Sequence, residues 1–259
     1  YEAQPEPTLV DINLTIYKGQ KVLILGPSGS GKSTLGSVIN GLIPHYYKGE
    51  ISGTCYVNGM EVQDAAVKDR HGCVGTVLQD SDAQFVALSV GEDIAFSLEN
   101  KNMPRAEMLP LVAQAASLVG MQDMLNRLPY ELSGGQKQKV AMAGVLHGKV
   151  DILLFDEPLA SLDPKAGMEA MELIETLQRN LDVTTLIIEH RLEDVLYRPV
   201  DRMIVLNAGQ IVADATPNEI LQSRVLRQYG IREPLYISAL SELAPQCPLP
   251  EGSLDNLDM

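Results

Sequence analysis

Three glycines, a lysine and a serine stand in register in Gly26-Pro27-Ser28-Gly29-Ser30-Gly31-Lys32-Ser33-Thr34, matching G-x-x-x-x-G-K-[ST] in full. The apolar run Val22 to Leu25 precedes them and a helix-compatible segment follows. In that context, backbone N–H groups of the loop converge on phosphate oxygens, and the helix N-terminus adds partial positive charge. Lys32 then reaches the β- and γ-phosphates as a point charge, while the Ser33 hydroxyl holds Mg2+. The competing reading is a plain Gly/Ser turn; the complete match between a strand and a helix argues against it.

A second set of residues could act on the same phosphates. Asp151-Ile152-Leu153-Leu154-Phe155-Asp156-Glu157 is a continuous apolar run ending in two acids. Such a run suits a strand buried on both faces of a parallel sheet, whose ligands gather at the carboxyl ends of the strands. Asp156 can hold Mg2+ there, and Glu157 can orient or deprotonate an attacking water. Val183 to Ile188 repeats the pattern and ends in Glu189-His190; a lone histidine is usually structural, but at this strand end it can donate to a γ-phosphate. Leu132-Ser133-Gly134-Gly135-Gln136 offers either an ordinary Ser N-cap or a second anion site that faces a phosphate from outside the cradle.

The elements that must position these residues are legible as periodicities. Ile12 to Ile16 alternates apolar and polar residues, and a turn at 17–20 leads into Lys21 to Leu25, so a half-buried strand paired with a buried one is expected. The helix after the phosphate loop is expected over Lys32 to about Leu42. Gly49 to Val62 predicts a hairpin turning at Asn58-Gly59, and Cys73 to Leu78 a strand delivering Gln79. Ser89 and Glu92 form a capping box for a helix with Val90, Ile94 and Leu98 on one face. Pro104 to Val119 is helical in period, with Pro110 expected either to kink it or to delay it.

Lys137 to Leu146 reads as a helix that Gly148 could stop. Asp163 and Pro164 open another that carries Ala170, Leu173, Ile174 and Leu177. Arg202 to Leu206 and Ile211 to Asp214 read as strand, turn, strand, and Thr216 and Glu219 cap a further helix.

With 259 residues and 45% hydrophobic content, the chain can bury a sizeable core. Its 20 Lys+Arg against 34 Asp+Glu give a net charge of -14, so no general field draws in nucleic acid or an anionic membrane leaflet. Cys55, Cys73 and Cys247 fit no metal spacing, which favours free thiols in a reducing compartment. No apolar run reaches the length of a membrane span. The chain opens at Tyr1 without Met, so residues preceding it are expected. Pro245 to Met259 reads as a proline-rich and then acidic linker or tail.

In this order, the cradle, Gln79, Leu132 to Gln136, Asp156-Glu157, Ser161-Leu162-Asp163 and His190 resemble the nucleotide-binding ATPase subunit of ABC transporters, over nearly all of 1–240. The resemblance implies an α/β P-loop NTPase fold with a mostly parallel core sheet, an antiparallel β subdomain and a helical subdomain at about 89–145. It implies ATP and Mg2+ as cofactors, Gln79 as a Mg2+ and water ligand beside Ser33 and Asp156, and Asp163 in the D-loop. It also implies Tyr1 stacking on adenine, although the family's first strand, which precedes that aromatic, is missing here. Ser133, Gly134, Gly135 and Gln136 would act in trans, on the γ-phosphate of a second ATPase copy or tandem domain. Lys139 stands where many relatives carry Arg.

Finer features are similar to the energy-coupling-factor (ECF) importers of vitamins or cobalt and nickel ions. These are Asn40-Gly41-Leu42-Ile43-Pro44-His45, Gln79 with Asp82 to Phe85, Glu92 to Phe96 with Glu99-Asn100, and Ile188-Glu189-His190-Arg191-Leu192. A peripheral ATPase on the cytoplasmic face of the membrane follows. Its partners would be a transmembrane subunit docking at Ser89 to about Gly120 and a substrate-binding membrane subunit; no nucleic acid partner is expected. The tail at 241–259 would end the chain or lead to a second ATPase domain. The competing reading is a soluble ABC ATPase acting on nucleic acid or ribosomes, disfavoured by the net charge and by the lack of a long coiled-coil insertion.

Overall fold

A strand with no polar face must be covered on both sides, and that requirement organises the molecule. The computed structural model describes residues 6–64, 73–79, 84–146 and 150–243. Tyr1, Asp82, Gly148, Cys247 and the segment from Pro245 lie outside the described residues. Six strands form one sheet in the order β4-β5-β6-β1-β7-β8: β1 (Lys21–Leu25), β4 (Val74–Val77), β5 (Ile152–Asp156), β6 (Thr184–Ile188), β7 (Arg202–Asn207) and β8 (Gln210–Ala215). All pair in parallel except β7 with β8, which meet through a tight turn with Ala208 and Gly209 at φ 46° and 78°. A separate hairpin joins β2 (Tyr56–Val57) to β3 (Met60–Glu61). Asn58 and Gly59 take the positive φ values its two-residue turn needs.

Successive residues of the central strands feed opposite faces, as strand geometry demands. Leu23, Leu25, Leu153, Phe155 and Ile187 enter one core cluster with the helices that follow β4 and β5. Val22, Ile24, Leu154, Leu186 and Ile188 enter the other, against Leu35 and Ile39. The helices on these faces are α1 (Lys32–Ile39), the kinked α2 (Leu42–His45), α3 (Val90–Glu99), α4 (Arg105–Leu118), α5 (Gly134–Val145), α6 (Pro164–Leu181), α7 (Leu192–Val195), α8 (Pro217–Gln222), α9 (Val225–Gln228) and α10 (Leu235–Leu243). Ser89, Ser133, Asp163 and Thr216 each accept a backbone N–H of the helix they precede. These caps fix where four helices begin.

Two expectations are corrected. Residues 12–16 pair with no strand among the described residues, although their alternation is real. Ile12, Leu14 and Ile16 pack on the second cluster, while Asn13 and Thr15 face solvent. Alternation reports which side is covered; a ladder also needs a neighbouring backbone, and here the Thr15 carbonyl accepts from the Arg202 guanidinium at 2.7 Å instead. Helix α1 stops at Ile39, short of Leu42, because Gly41 takes a left-handed φ of 79° that ends the helix as a C-terminal glycine does. Pro110 does not delay α4, which starts at Arg105 and continues through it.

Candidate active site

In a parallel sheet every carboxyl end falls on one edge, so the loops leaving β1, β6, β5 and β4 line up in that order. The register makes this quantitative: Ile188 stands opposite both Ile24 and Asp156. The glycine-rich loop, Glu189-His190, Asp156-Glu157 and Gln79 are therefore neighbours by construction. Gln79 is exposed at the end of β4.

The loop from Gly26 to Gly31 wraps its own lysine. Lys32 is 5% exposed, and its ammonium donates to the carbonyls of Gly26 and Pro27, both at 2.9 Å. A Cβ on Gly26 would sit 2.3 Å from the Leu206 carbonyl oxygen, so only glycine lets the chain turn this tightly beside β7. Gly29 and Gly31 take φ values of 76° and 101°. Pro27 is half-buried, Ser28 and Ser33 face outward, and Thr34 lies half-buried in the first turn of α1.

Lys32, Ser33, Asp156, Glu157 and His190 come together. The Ser33 hydroxyl donates to Asp156 Oδ1 at 3.3 Å, and His190 Nε2 lies 2.8 Å from Glu157 Oε1. Burial pushes the Asp156 carboxyl above the usual range, opposed by the Ser33 hydrogen bond and reinforced by the charge of Glu157. Burial likewise lowers the Lys32 ammonium, against the pull of Glu157 and Asp156. A buried cation beside two carboxylates is a site organised around charge that the folded chain only partly balances.

The residues fit a phosphate group. Ser30 Oγ is buried with no hydrogen-bond partner, an orphan that a phosphate oxygen would satisfy. Gly31 starts α1 without any side-chain cap, unlike the four capped helices, so its first-turn N–H groups point into the loop. No cluster of three or more His, Cys, Asp or Glu suited to a metal occurs among the described residues. Ser33 and Asp156 alone make an incomplete set, as expected for Mg2+ that takes its other ligands from phosphate and water.

The Leu132-Ser133-Gly134-Gly135-Gln136 turn lies elsewhere. Ser133 Oγ accepts the Gln136 N–H, and Gln136 Oε1 accepts the Ser133 N–H at 2.9 Å. An added Cβ on Gly134 would lie 3.6 Å from the Ser161 carbonyl oxygen, and one on Gly135 would lie 3.5 Å from Ala166. The turn therefore borders residues 161–166, the end of the loop after β5 and the first turn of α6, where Asp163 is the N-cap and accepts the Ala166 N–H at 2.9 Å. The structure thus joins five of the sequence-selected residues directly and sets the turn at Ser133 apart, against the far end of the loop that Glu157 begins.

A family model described as ABC transporter matches residues 9–160. The chain belongs to the ABC transporter family. Its fold is that of the ABC ATPases, a mixed, mostly parallel six-stranded sheet with a small antiparallel sheet and helices. A putative ABC transporter ATP-binding protein of Vibrio parahaemolyticus is 59% identical over 93% of this chain and 42% of its own length. One of Streptococcus pneumoniae is 52% identical over 100% of this chain and 46% of its own. The chain thus spans less than half the length of these relatives. Among solved structures, CbiO1 of Clostridium perfringens, part of the ABC transporter complex CbiONQ, superposes with a TM-score of 0.76 at 30% identity, covering 90% of this chain and 92% of that one. The bacterial cassette MJ0796, as a dimer bound to ADP and Pi, gives 0.71 at 28% identity over 83% and 94%.

Glu189 and Arg191 of this ABC chain, named in the sequence only within the runs around His190, have a role there that those runs do not assign. Glu189 is 1% exposed and accepts the N–H of Leu159 at 2.9 Å and of His190 at 2.8 Å. Arg191 Nη1 donates to the carbonyls of Leu159 and Leu162. The signal was two charged residues just past the apolar run Leu186-Ile187-Ile188.

Proposed function

We propose that this chain is one ATP-hydrolysing half of an ABC importer of the ECF type, working with a second ATPase domain and with membrane subunits. The observation that carries this reading is the convergence of Lys32, the Ser33–Asp156 contact and the Glu157–His190 contact on one sheet edge. Bound Mg·ATP supplies the terminal phosphoryl group and the divalent charge. Lys32 and the N–H groups of residues 28–34 hold the phosphates, and Ser33 and Asp156 hold Mg2+, with Gln79 as a further ligand. Glu157 orients and deprotonates the attacking water, and His190 fixes Glu157 and donates toward the γ-phosphate. Tyr1 is proposed to stack on adenine.

Ser133 to Gln136 complete the site of a partner domain, and Asp163 lies between the two half-sites. Residues 1–240 form the ATPase domain, with its helical part at about 89–145; 241–259 is a tail or a linker to a second such domain. The doubled length of the relatives supports the linker. The likeness to CbiO1 supports the ECF assignment. No helix among the described residues is long and apolar enough to cross a membrane, and docking on the cytoplasmic face is proposed through 89–120. Phe96 at 43% and Leu109 at 58% exposure offer apolar surface there.

The deciding experiment is purification of the full-length protein with its membrane partners, measuring phosphate release with Mg·ATP and crosslinking from single cysteines. Release that depends on Lys32, with crosslinks to a membrane subunit from 89–120, is expected. Crosslinks only from the 211–223 side, or co-purification with nucleic acid instead, would overturn the assignment.

A further inference from the structure

Glu189 and Arg191 sit on either side of His190 and close on the same residue of another loop. Glu189 Oε2 accepts the Leu159 N–H at 2.9 Å, and its Oε1 accepts the N–H groups of His190 at 2.8 Å and Arg191 at 3.2 Å. Arg191 Nη1 donates to the Leu159 carbonyl at 2.7 Å and to the Leu162 carbonyl at 2.8 Å, while its Nε donates to Asp194 Oδ2 at 2.7 Å. Leu159 is therefore held at both its N–H and its carbonyl, with its side chain wholly buried. Leu162 is held at the other end of the same short loop.

That loop joins two things that must agree. It begins at Glu157, whose carboxylate meets His190 and whose own N–H donates to the Ile188 carbonyl at 2.8 Å. It ends beside Gly134, since an added Cβ there would lie 3.6 Å from the Ser161 carbonyl oxygen and 3.7 Å from the Leu162 side chain. We propose that Glu189 and Arg191 are positioning residues that clamp residues 158–162 to the exit of β6, so that His190's seat against Glu157 and the seat of the Ser133 turn are set as one unit.

Chemistry favours a clamp over simple filling. A planar guanidinium presents several donors in a fixed fork and so sets the spacing of the groups that accept from it, which an ammonium on a flexible stem does not. A carboxylate that is almost fully buried and accepts three N–H groups orders a loop in the same way. Neither side chain contacts residues 26–34 in any hydrogen bond among the described residues. Loosening the clamp should therefore disturb turnover and leave nucleotide affinity alone. The inference rests on the ATPase reading above.

The test uses the full-length protein with Arg191→Gln and Arg191→Lys, comparing kcat for ATP with the Kd for Mg·ATP measured calorimetrically under conditions that block turnover. Arg191→Gln should lower kcat by about tenfold or more with Kd within about threefold of wild type. Arg191→Lys, which keeps the charge but not the fork, should fall between. Should Arg191→Gln not fold, Arg191→Lys decides alone by the same criterion. Both variants turning over within about twofold of wild type would overturn the clamp, as would kcat and affinity falling in step, the mark of a general scaffold. A wild-type protein that neither binds nor hydrolyses ATP would instead remove the ATPase reading, and the clamp with it.

Discussion

His190 Nε2 stands 2.8 Å from Glu157 Oε1, and Glu157 reaches this position with a left-handed φ of 51°. A non-glycine residue held there stores of the order of 1–3 kcal/mol, tolerated where the surroundings over-determine it. The bond from the Glu157 N–H to the Ile188 carbonyl supplies part of that constraint. Glu157→Gln keeps the shape but removes the proton acceptor. Phosphate release should fall by roughly 10²–10⁴-fold, the usual range for losing a general base, with Mg·ATP binding retained and an ATP-stabilised dimer visible by size-exclusion chromatography. Unchanged turnover would take Glu157 out of the mechanism.

Lys32 poses a different test because its ammonium is already committed to the loop. Removing it leaves the Gly26 and Pro27 carbonyls without their donor and, on the proposed reading, takes away a cation that holds the phosphates. Hydrogen bonds to charged groups are worth about 1.5–3 kcal/mol each, so Lys32→Ala should weaken Mg·ATP binding by about 100-fold or more. Calorimetric titration checks this, and affinity close to wild type would contradict the cradle.

Asp156 predicts a pH effect of definite sign. Burial, only partly offset by Ser33, raises its carboxyl above the unfolded value, so the folded protein holds this proton more tightly than the unfolded chain does. Its contribution to stability is therefore present at low pH and declines as pH rises from the unfolded carboxylate pKa through the higher folded one. In EDTA, thermal melts of wild type and Asp156→Asn across the acidic range should diverge, wild type losing stability relative to the variant as pH increases. Mg2+ should reverse that trend in wild type alone, since the cation favours the ionised carboxylate.

Much of this arrangement was legible because single elements announce themselves. The runs ending at Leu25, Asp156 and Ile188 had to be buried strands, and parallel pairing then forced their following loops onto one edge. The caps at Ser89, Ser133, Asp163 and Thr216 were readable because a side-chain acceptor before a helix acts locally. What failed depended on distant partners. Residues 12–16 alternate as a strand does, but their burial comes from packing and from Arg202. The grip of Glu189 and Arg191 on Leu159 joins positions about thirty apart in sequence, and no local pattern encodes it.

Ser133 separates a structural role from a chemical one. Its Oγ accepts the Gln136 N–H and so caps α5, a function that Asp performs as well as Ser and Ala cannot perform. Ser133→Ala should therefore cost about 1 kcal/mol of stability, whereas Ser133→Asp should leave stability within about 0.5 kcal/mol. If this turn meets the γ-phosphate held by a partner domain, the order reverses for activity. A carboxylate there repels the phosphate, and hydrolysis in Ser133→Asp should fall by about 100-fold while Mg·ATP binding at the chain's own cradle persists. Ser133→Ala, less stable yet uncharged, should keep more activity. Thermal melts and phosphate release on the two variants check both orders together. Matching orders, with the less stable variant also the less active, would mean that Ser133 does no more than start a helix.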